Sequence, residues 1–177
     1  MKKQLLRTVS ALLFILFLSL PSMAQSKVEP DSSQADLFDF WIGKWDLTWD
    51  EAEGKKGKGT NEILRIMSGK IIQENFKAIE GQLKGYDGMS VSAYNPSAKT
   101  WNQTWVDNQG GYLDFEFEMD GDKRIFKREG LNPKQQKVYQ RMVFYDIKKD
   151  SFNWDWESST DGKEWKLQWR IAYKRQN

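Results

Sequence analysis

The feature that most constrains the fold of this chain is a series of short alternating segments, each closed by turn residues, from Trp45 to Lys174. Apolar and polar side chains alternate within these segments, and a period of two places them on opposite faces of a β-strand. The connections are short hairpin turns such as Asp120-Gly121, which leave no room for crossover helices. The pattern therefore predicts an antiparallel meander.

The alternation predicts ten strands, which span residues 45–49, 61–67, 70–79, 86–94, 100–107, 112–119, 123–129, 137–146, 151–157 and 164–174. Closing such a meander into a barrel removes both exposed edges of the sheet. We therefore expect an all-β fold, a single antiparallel up-and-down β-barrel of about ten strands. A sandwich of two sheets is the alternative.

Two of the predicted strands show a clear apolar face. The last strand places five apolar side chains on one side, namely Trp165, Leu167, Trp169, Ile171 and Tyr173. The sixth strand does the same with Leu113, Phe115 and Phe117. One face of the sheet should therefore be buried and the other should face water.

A short helix is expected before the first strand. Leu37, Phe40 and Trp41 have the spacing of one or two helical turns, and the helical period disappears from Trp45 onward. Farther along, the segment Gly54–Gly59 contains three glycines and three lysines and predicts a hairpin tip.

Residues 1–24 have the pattern of a secretory signal peptide. Basic residues precede an apolar run from Ala11 to Leu20, which is shorter than the ~20 residues of a membrane-spanning helix. We therefore expect cleavage after Ala24 and release into the periplasm or the exterior, with no membrane association after cleavage. Residues 25–35 are polar and predict a disordered leader, and residues 36–175 form the predicted barrel domain.

The composition excludes several classes of site and partner. The chain has no His and no Cys, so it cannot form a Ser-His hydrolase site, a thiol nucleophile or a His-ligated haem. Without residues 1–24 the chain has 24 basic and 25 acidic residues and so a net charge of −1. A nearly neutral chain has no electrostatic footprint for nucleic acid. We expect no nucleic-acid partner, no metal and no cofactor.

Three separated motifs resemble a known family. The opening Phe38–Trp45, the middle segments Gly59–Ile63 and Ile72–Phe76, and above all Trp101–Asn108 are similar to an uncharacterised family of bacterial exported lipocalin-like β-barrels. The closing Ser159–Trp165 is similar as well. The resemblance implies a ten-stranded barrel of the calycin or nitrobindin-like kind. That family has no established activity, so the resemblance implies a fold and not a function.

The strongest candidate site lies on the predicted fifth strand, where Trp101, Gln103, Trp105 and Asp107 share one face. One interpretation is an aromatic-walled cavity in which Gln103 and Asp107 orient a polar group of a ligand. The other is that the tryptophans are core residues and that their polar neighbours hydrogen-bond a turn.

A second candidate lies on the two preceding strands. Asn61 and Arg65 share a face of one strand, and Glu74 lies between apolar side chains on the next. If both faces line the barrel, Arg65 could pair with Glu74, because an unpaired buried charge is very costly. Such a pair would either bind an anionic or polar ligand or simply fix the register. Trp45 completes the predicted set of ligand-binding residues.

Other acidic pairs are predicted to be structural. Asp155 and Glu157 share one face of their strand, and Trp154 and Trp156 share the other. Paired carboxylates next to aromatic residues suggest a glycosidase site, but two acids at positions i and i+2 of one strand are typical of a solvated outer face. We therefore expect no catalytic residue in this segment.

Three hypotheses for function follow. The first is an exported binding protein that holds a small apolar or amphipathic molecule in an aromatic-lined cavity. The second is an isomerase-like or cyclase-like enzyme that uses a carboxylate, Tyr, Lys or Arg, and it requires an interior ionisable group with a perturbed pKa. The third is an interaction module with a filled aromatic core, which a large exposed apolar patch would favour.

Overall fold

The structure is a computed structural model and describes residues 32–176. Ten antiparallel strands form a closed barrel in which consecutive strands pair and the last strand pairs with the first. The prediction of an up-and-down barrel is confirmed, and the two-sheet alternative is wrong. The elements are α1 (Ser32–Ala35), a 3₁₀ turn (Asp39–Trp41), β1 (Gly43–Asp50), a second 3₁₀ turn (Ala52–Gly54), β2 (Lys56–Ile66), β3 (Ile71–Glu80), β4 (Asp87–Asn95), β5 (Thr100–Asp107), β6 (Tyr112–Asp120), β7 (Lys123–Leu131), β8 (Lys137–Tyr145), β9 (Ser151–Ser159) and β10 (Lys166–Arg175).

Residues 37–42 form a plug that closes one end of the barrel. Phe38 has no exposed surface. Its ring lies within 6.3 Å, centroid to centroid, of the rings of Phe40, Trp41, Trp101, Phe117, Phe126 and Phe144. Arg175, at the end of β10, fastens the plug by donating hydrogen bonds to the carbonyl oxygens of Ile42 and Phe40, each 2.8 Å long. We call the half of the barrel next to this segment the plugged half and the opposite half the open half.

The predicted short helix before the first strand is present only as turns with i→i−3 hydrogen bonds. The N–H of Asp39 donates to the carbonyl of Asp36, and the N–H of Trp41 donates to the carbonyl of Phe38. The predicted signal peptide and residues 25–31 of the predicted leader lie outside the described residues, while residues 32–35 form α1. Within residues 32–176, no helix is both long enough and apolar enough to cross a membrane.

The prediction of a hairpin tip at Gly54–Gly59 is wrong in its second half. β2 begins at Lys56, and Gly57 and Gly59 are buried positions in it. A Cβ on Gly57 would collide with the indole of Trp49, which is directly across from it on β1. The glycines are therefore strand residues that make room for a tryptophan, rather than turn residues.

The prediction of a single apolar face on the last strand is also wrong in part. A register shift between Leu167 and Trp169 lets β10 change phase. Trp169, Ile171 and Tyr173 point inward as predicted, but Leu167 is 48% exposed and Trp165 lies over the Arg141 guanidinium, 4.0 Å from its carbon to the ring centroid. A β-bulge adds one residue, which reverses the in-and-out alternation beyond it.

Candidate ligand cavity

The open half of the barrel contains a cavity of about 160 Å³. Its lining comes from six of the ten strands and from the loop before β4. The lining residues are Glu74, Phe76, Tyr86, Trp105, Asp107, Leu113, Phe115, Met142, Trp154, Trp156, Trp169, Ile171 and Tyr173. The interior is therefore hollow on one side of the barrel and filled by the plug on the other.

The cavity wall is mostly aromatic, and its rings hold one another in place. Trp154 meets Trp169 edge to face, with centroids 5.8 Å apart, and Phe76 contacts Trp169 at 5.9 Å and Trp105 at 6.2 Å. Edge-to-face pairs of this kind add stability beyond that of buried area. The position of Trp105 depends on Gly88, since a Cβ there would overlap the indole.

Glu74 provides a buried carboxyl group at the inner end of the cavity. It lies on β3 between Phe76 and the buried Ile72, and only 6% of its surface is exposed. Its oxygens accept hydrogen bonds from Asn61 Nδ2 at 2.6 Å and from Ser90 Oγ at 2.7 Å. Burial raises the pKa of Glu74 to about 7, and these two hydrogen bonds oppose the rise only in part.

A chain of polar side chains extends from Glu74 across the interior. Asn61 also donates to the Tyr173 hydroxyl at 3.2 Å. On the other side, Gln103 donates to Ser90 at 3.2 Å and to Ser92 at 2.9 Å. The amide oxygens of Asn61 and Gln103 have no hydrogen-bond partner within the described residues. Burial, and then the charge of Glu74, raise the pKa of Tyr173 well above its usual value.

A second polar group, centred on Asp107, lies at the end of β5. Tyr86 Oη donates to Asp107 Oδ2 at 3.0 Å, and Trp105 Nε1 donates to the same oxygen at 3.1 Å. Partial burial favours the neutral acid, but hydrogen bonds from the Gly111 N–H, Trp105, Tyr86 and the Gln109 N–H keep the pKa of Asp107 below its usual value. Burial and the hydrogen bond to Asp107 raise the pKa of Tyr86 to about 12.

The structure brings together part of the predicted site. Glu74, Trp105 and Asp107 line the cavity, and Asn61 and Gln103 belong to the hydrogen-bonded chain behind it. Asp107 also fits the alternative interpretation, because it accepts hydrogen bonds from two N–H groups of the following turn. The shared inward face of β5 is confirmed, whereas a role of these residues in binding stays a prediction.

Two of the predicted tryptophans lie toward the plug. Trp45 packs edge to face on Phe152, with centroids 4.9 Å apart, and donates to the carbonyl of Trp41 at 2.8 Å. Trp101 packs on Phe38 and donates to the carbonyl of Gln34 at 2.9 Å. Neither residue is part of the cavity lining.

The expected pairing of Arg65 with Glu74 is wrong. Arg65 forms an ion pair with Asp39 of the plug and donates to the carbonyl of Gly69 at 2.9 Å. Arg65 lies near the end of β2, opposite Ile72, whereas Glu74 pairs with Ile63 farther into the barrel. The guanidinium therefore reaches the plug, and no Lys or Arg among residues 32–176 pairs with Glu74.

Several cavity residues were not predicted as site residues. Tyr173 and Trp169 were expected on a buried face, and Ser90 carries no signal of its own because a single serine in a strand is common. Alternation misleads in this strand, because it predicts that the apolar Met89 and Val91 point inward, whereas they are exposed and Ser90 and Ser92 are buried. Tyr86 begins the predicted fourth strand on the face opposite Met89 and Val91, so the same pattern places it outward, although the observed β4 begins only at Asp87.

Asp155 and Glu157 lie on the outer face of β9, as predicted, but they are covered rather than solvated. Asp155 is 4% exposed and accepts hydrogen bonds from Arg170 Nε at 2.8 Å and Nη2 at 2.6 Å. Glu157 accepts a hydrogen bond from Arg141 Nε at 2.6 Å. Within residues 32–176, no group of three His, Cys, Asp or Glu side chains has the arrangement of a metal site.

No protein-family model matches the chain, and no curated protein matches it. Among solved structures, the chain is similar to a redesigned β-barrel, at 10% sequence identity over 81% of this chain and 97% of that chain, with a TM-score of 0.38. This likeness is too distant to bear on function, and the fold rests on the strand pairing described above. The resemblance to the exported lipocalin-like family stays a prediction, and the closed ten-stranded antiparallel barrel is consistent with it.

Proposed function

We propose that this protein binds a small apolar or amphipathic molecule inside the open half of its barrel. The observation that carries the proposal is the cavity of about 160 Å³, whose aromatic wall has a polar group at Glu74 and another at Asp107. Ligand sites typically combine apolar walls with a few polar groups that fix orientation. The hypothesis of an interaction module requires a filled aromatic core, and only the plugged half of the barrel is filled.

The size of the cavity limits the ligand. Pockets for drug-sized ligands have volumes of roughly 300 Å³ or more, whereas an apolar cavity of about 150 Å³ in another protein binds benzene. A volume of about 160 Å³ therefore fits one aromatic ring or a short alkyl chain with a small polar group.

Titration calorimetry with toluene and benzyl alcohol tests the proposal. Both probes should bind, and Leu113→Trp, which fills the cavity, should weaken binding at least about tenfold by removing the space. Leu64→Trp is the matched control, because Leu64 is 41% exposed on the outer face. Failure of both probes to bind, or equal loss in the two variants, would contradict the proposal.

Export is part of the same proposal and rests on residues 1–24. When the full chain is expressed in a bacterium, the secreted or periplasmic fraction should contain a protein that begins at Gln25. Intact-mass measurement of each fraction checks this expectation, and a full-length product confined to the cytoplasm would contradict it.

The interior carboxyl of Glu74 favours a second candidate, acid–base catalysis in the same cavity. A pKa of about 7 is suited to proton transfer at neutral pH, and Glu74 lies in the lining. As a base, its carboxylate would remove a proton from the carbon next to a ligand carbonyl and then return it. Phenylacetone in D₂O should then exchange its α-protons faster with the protein than with Glu74→Gln, as measured by NMR. Equal rates would rule out this role.

A further inference from the structure

We propose that the cavity selects an organic monocation, a protonated amine attached to one aromatic ring or a short alkyl chain, whose ammonium group contacts Glu74. This inference rests on the proposed binding function and specifies the charge of the ligand.

The first argument is the charge of the cavity lining. Its ionisable members are two carboxyl groups, Glu74 and Asp107, and two tyrosines, Tyr86 and Tyr173. None of the lining residues is Lys or Arg. An anionic ligand would meet like charge without a counter-ion, whereas a cation would meet opposite charge at either end of the cavity.

The second argument is that Glu74 is buried and has no basic partner in the part of the chain that the structure describes. Its two hydrogen-bond donors, Asn61 and Ser90, are neutral, and the arginine nearest to it on β2 pairs with Asp39 instead. An ionised carboxylate in an apolar interior is costly unless a positive group accompanies it. A ligand ammonium would provide that group, and the apolar part of the ligand would fill the aromatic space beside it.

The third argument concerns the groups around such an ammonium. Trp105, Trp154 and Trp169 line the cavity, and a cation placed over the face of an aromatic ring is attracted by the negative charge of that face. An ammonium has three donors, and the carboxylate of Glu74, which lines the cavity, accepts hydrogen bonds from it.

The pH dependence of binding follows from the groups that face Glu74. Tyr173 on β10 and Tyr86 before β4 have raised pKa values and stay neutral at pH 6 to 8, while Asp107 on β5 has a lowered pKa and stays ionised. Asn61, Ser90 and Gln103 do not titrate. Glu74, with its pKa raised to about 7, is then the lining group that changes charge in this range. Amine affinity should rise about tenfold between pH 6 and pH 8.

The experiment compares three probes of one shape, benzylamine, benzyl alcohol and benzoate, by titration calorimetry at pH 6 and pH 8. At pH 8 the wild-type protein should bind benzylamine at least about tenfold more tightly than benzyl alcohol, and benzoate most weakly. Glu74→Gln should remove the preference for the amine and its pH dependence while keeping benzyl alcohol binding. Glu80→Gln, on the exposed end of the same strand, is the control and should change neither.

The outcomes distinguish this inference from the binding function itself. If benzyl alcohol binds as tightly as benzylamine at pH 8, the cation preference is overturned and the cavity remains a binding site. If no probe binds, both are overturned. The ratio of amine to alcohol affinity in the wild-type protein, followed from pH 6 to pH 8, needs no variant and decides the question even where Glu74→Gln does not fold.

Discussion

The two halves of the barrel share one wall but have different interiors. In the plugged half, residues 37–42 insert Phe38 and Trp41 among the strand aromatics, and both are at most 1% exposed. In the open half, aromatic residues of equal size surround about 160 Å³ of space, and the carboxyl of Glu74 lies among them. The interior of this barrel is thus filled next to residues 37–42 and hollow in the opposite half.

Because of this difference, we expect the two halves to contribute differently to stability and to ligand binding. Rings in the plugged half have neighbours on every side, so they contribute dispersion and hydrophobic energy in full. Rings that line the cavity lack neighbours on one face and retain that face for a ligand. We expect the plugged half to dominate the free energy of unfolding and the open half to set pH dependence and binding.

The largest expected effect is that of Phe38→Ala, which should lower the free energy of unfolding by about 3–5 kcal/mol, because it removes the central ring of the plug. Phe115→Ala is the matched substitution in the cavity wall and should cost less, since one side of that ring already faces empty space. Urea denaturation of both variants measures the difference. Equal costs, or a larger cost for Phe115→Ala, would show that the two halves are equally packed.

The next effect is the pH dependence caused by Glu74. Its pKa rises from 4.5 in the unfolded chain to about 7 in the barrel, so the folded state binds more protons between these values. The free energy of unfolding should therefore fall as pH rises through this window, by about 3 kcal/mol in total at pH 8. Glu74→Gln should remove this decrease, whereas Glu80→Gln should keep it. Denaturation of the three proteins at pH 4.5, 6, 7 and 8 checks it, and parallel curves for wild type and Glu74→Gln would disprove it.

A smaller effect is expected at the glycine that makes room for the cavity wall. Gly88→Ala places a Cβ against the Trp105 indole, so the ring must move, at a cost of about 1–3 kcal/mol. In a Trp105→Val background the same change should cost little, because alanine is otherwise better than glycine in a strand. A double-mutant cycle of unfolding free energies measures the coupling. Additive costs would mean that Gly88 does not position Trp105.

Most of the fold could be predicted from the sequence, because hairpin turns and alternation are local signals. The differences between the predicted and the observed strands also have local causes. The β10 bulge needs one extra residue opposite Glu157, and nothing in the sequence around Leu167 marks it. Gly57 resembles a turn residue until Trp49 is seen across from it.

The site could be predicted only in part, because alternation tells which side chains point inward but not how deep they lie along the barrel. Trp101 and Trp105 share a face, yet one contacts the plug and the other lines the cavity. Arg65 and Glu74 both lie on inward faces but at different depths, so they do not pair. Depth depends on the stagger between strands and on where the plug ends, and neither is encoded in any single strand.

The smallest expected effect concerns Arg65, which sequence alone would assign to the cavity. Arg65→Met should cost about 0.2–1 kcal/mol, because its ion pair with Asp39 is partly exposed. It should leave the decrease in stability from pH 4.5 to pH 8 unchanged, since the guanidinium does not contact Glu74. If Arg65 were the counter-ion of Glu74, its loss would raise the pKa of that carboxyl further and steepen the decrease. The same denaturation series distinguishes the two cases. A steeper decrease of the unfolding free energy with pH for Arg65→Met would show that Arg65 interacts with Glu74.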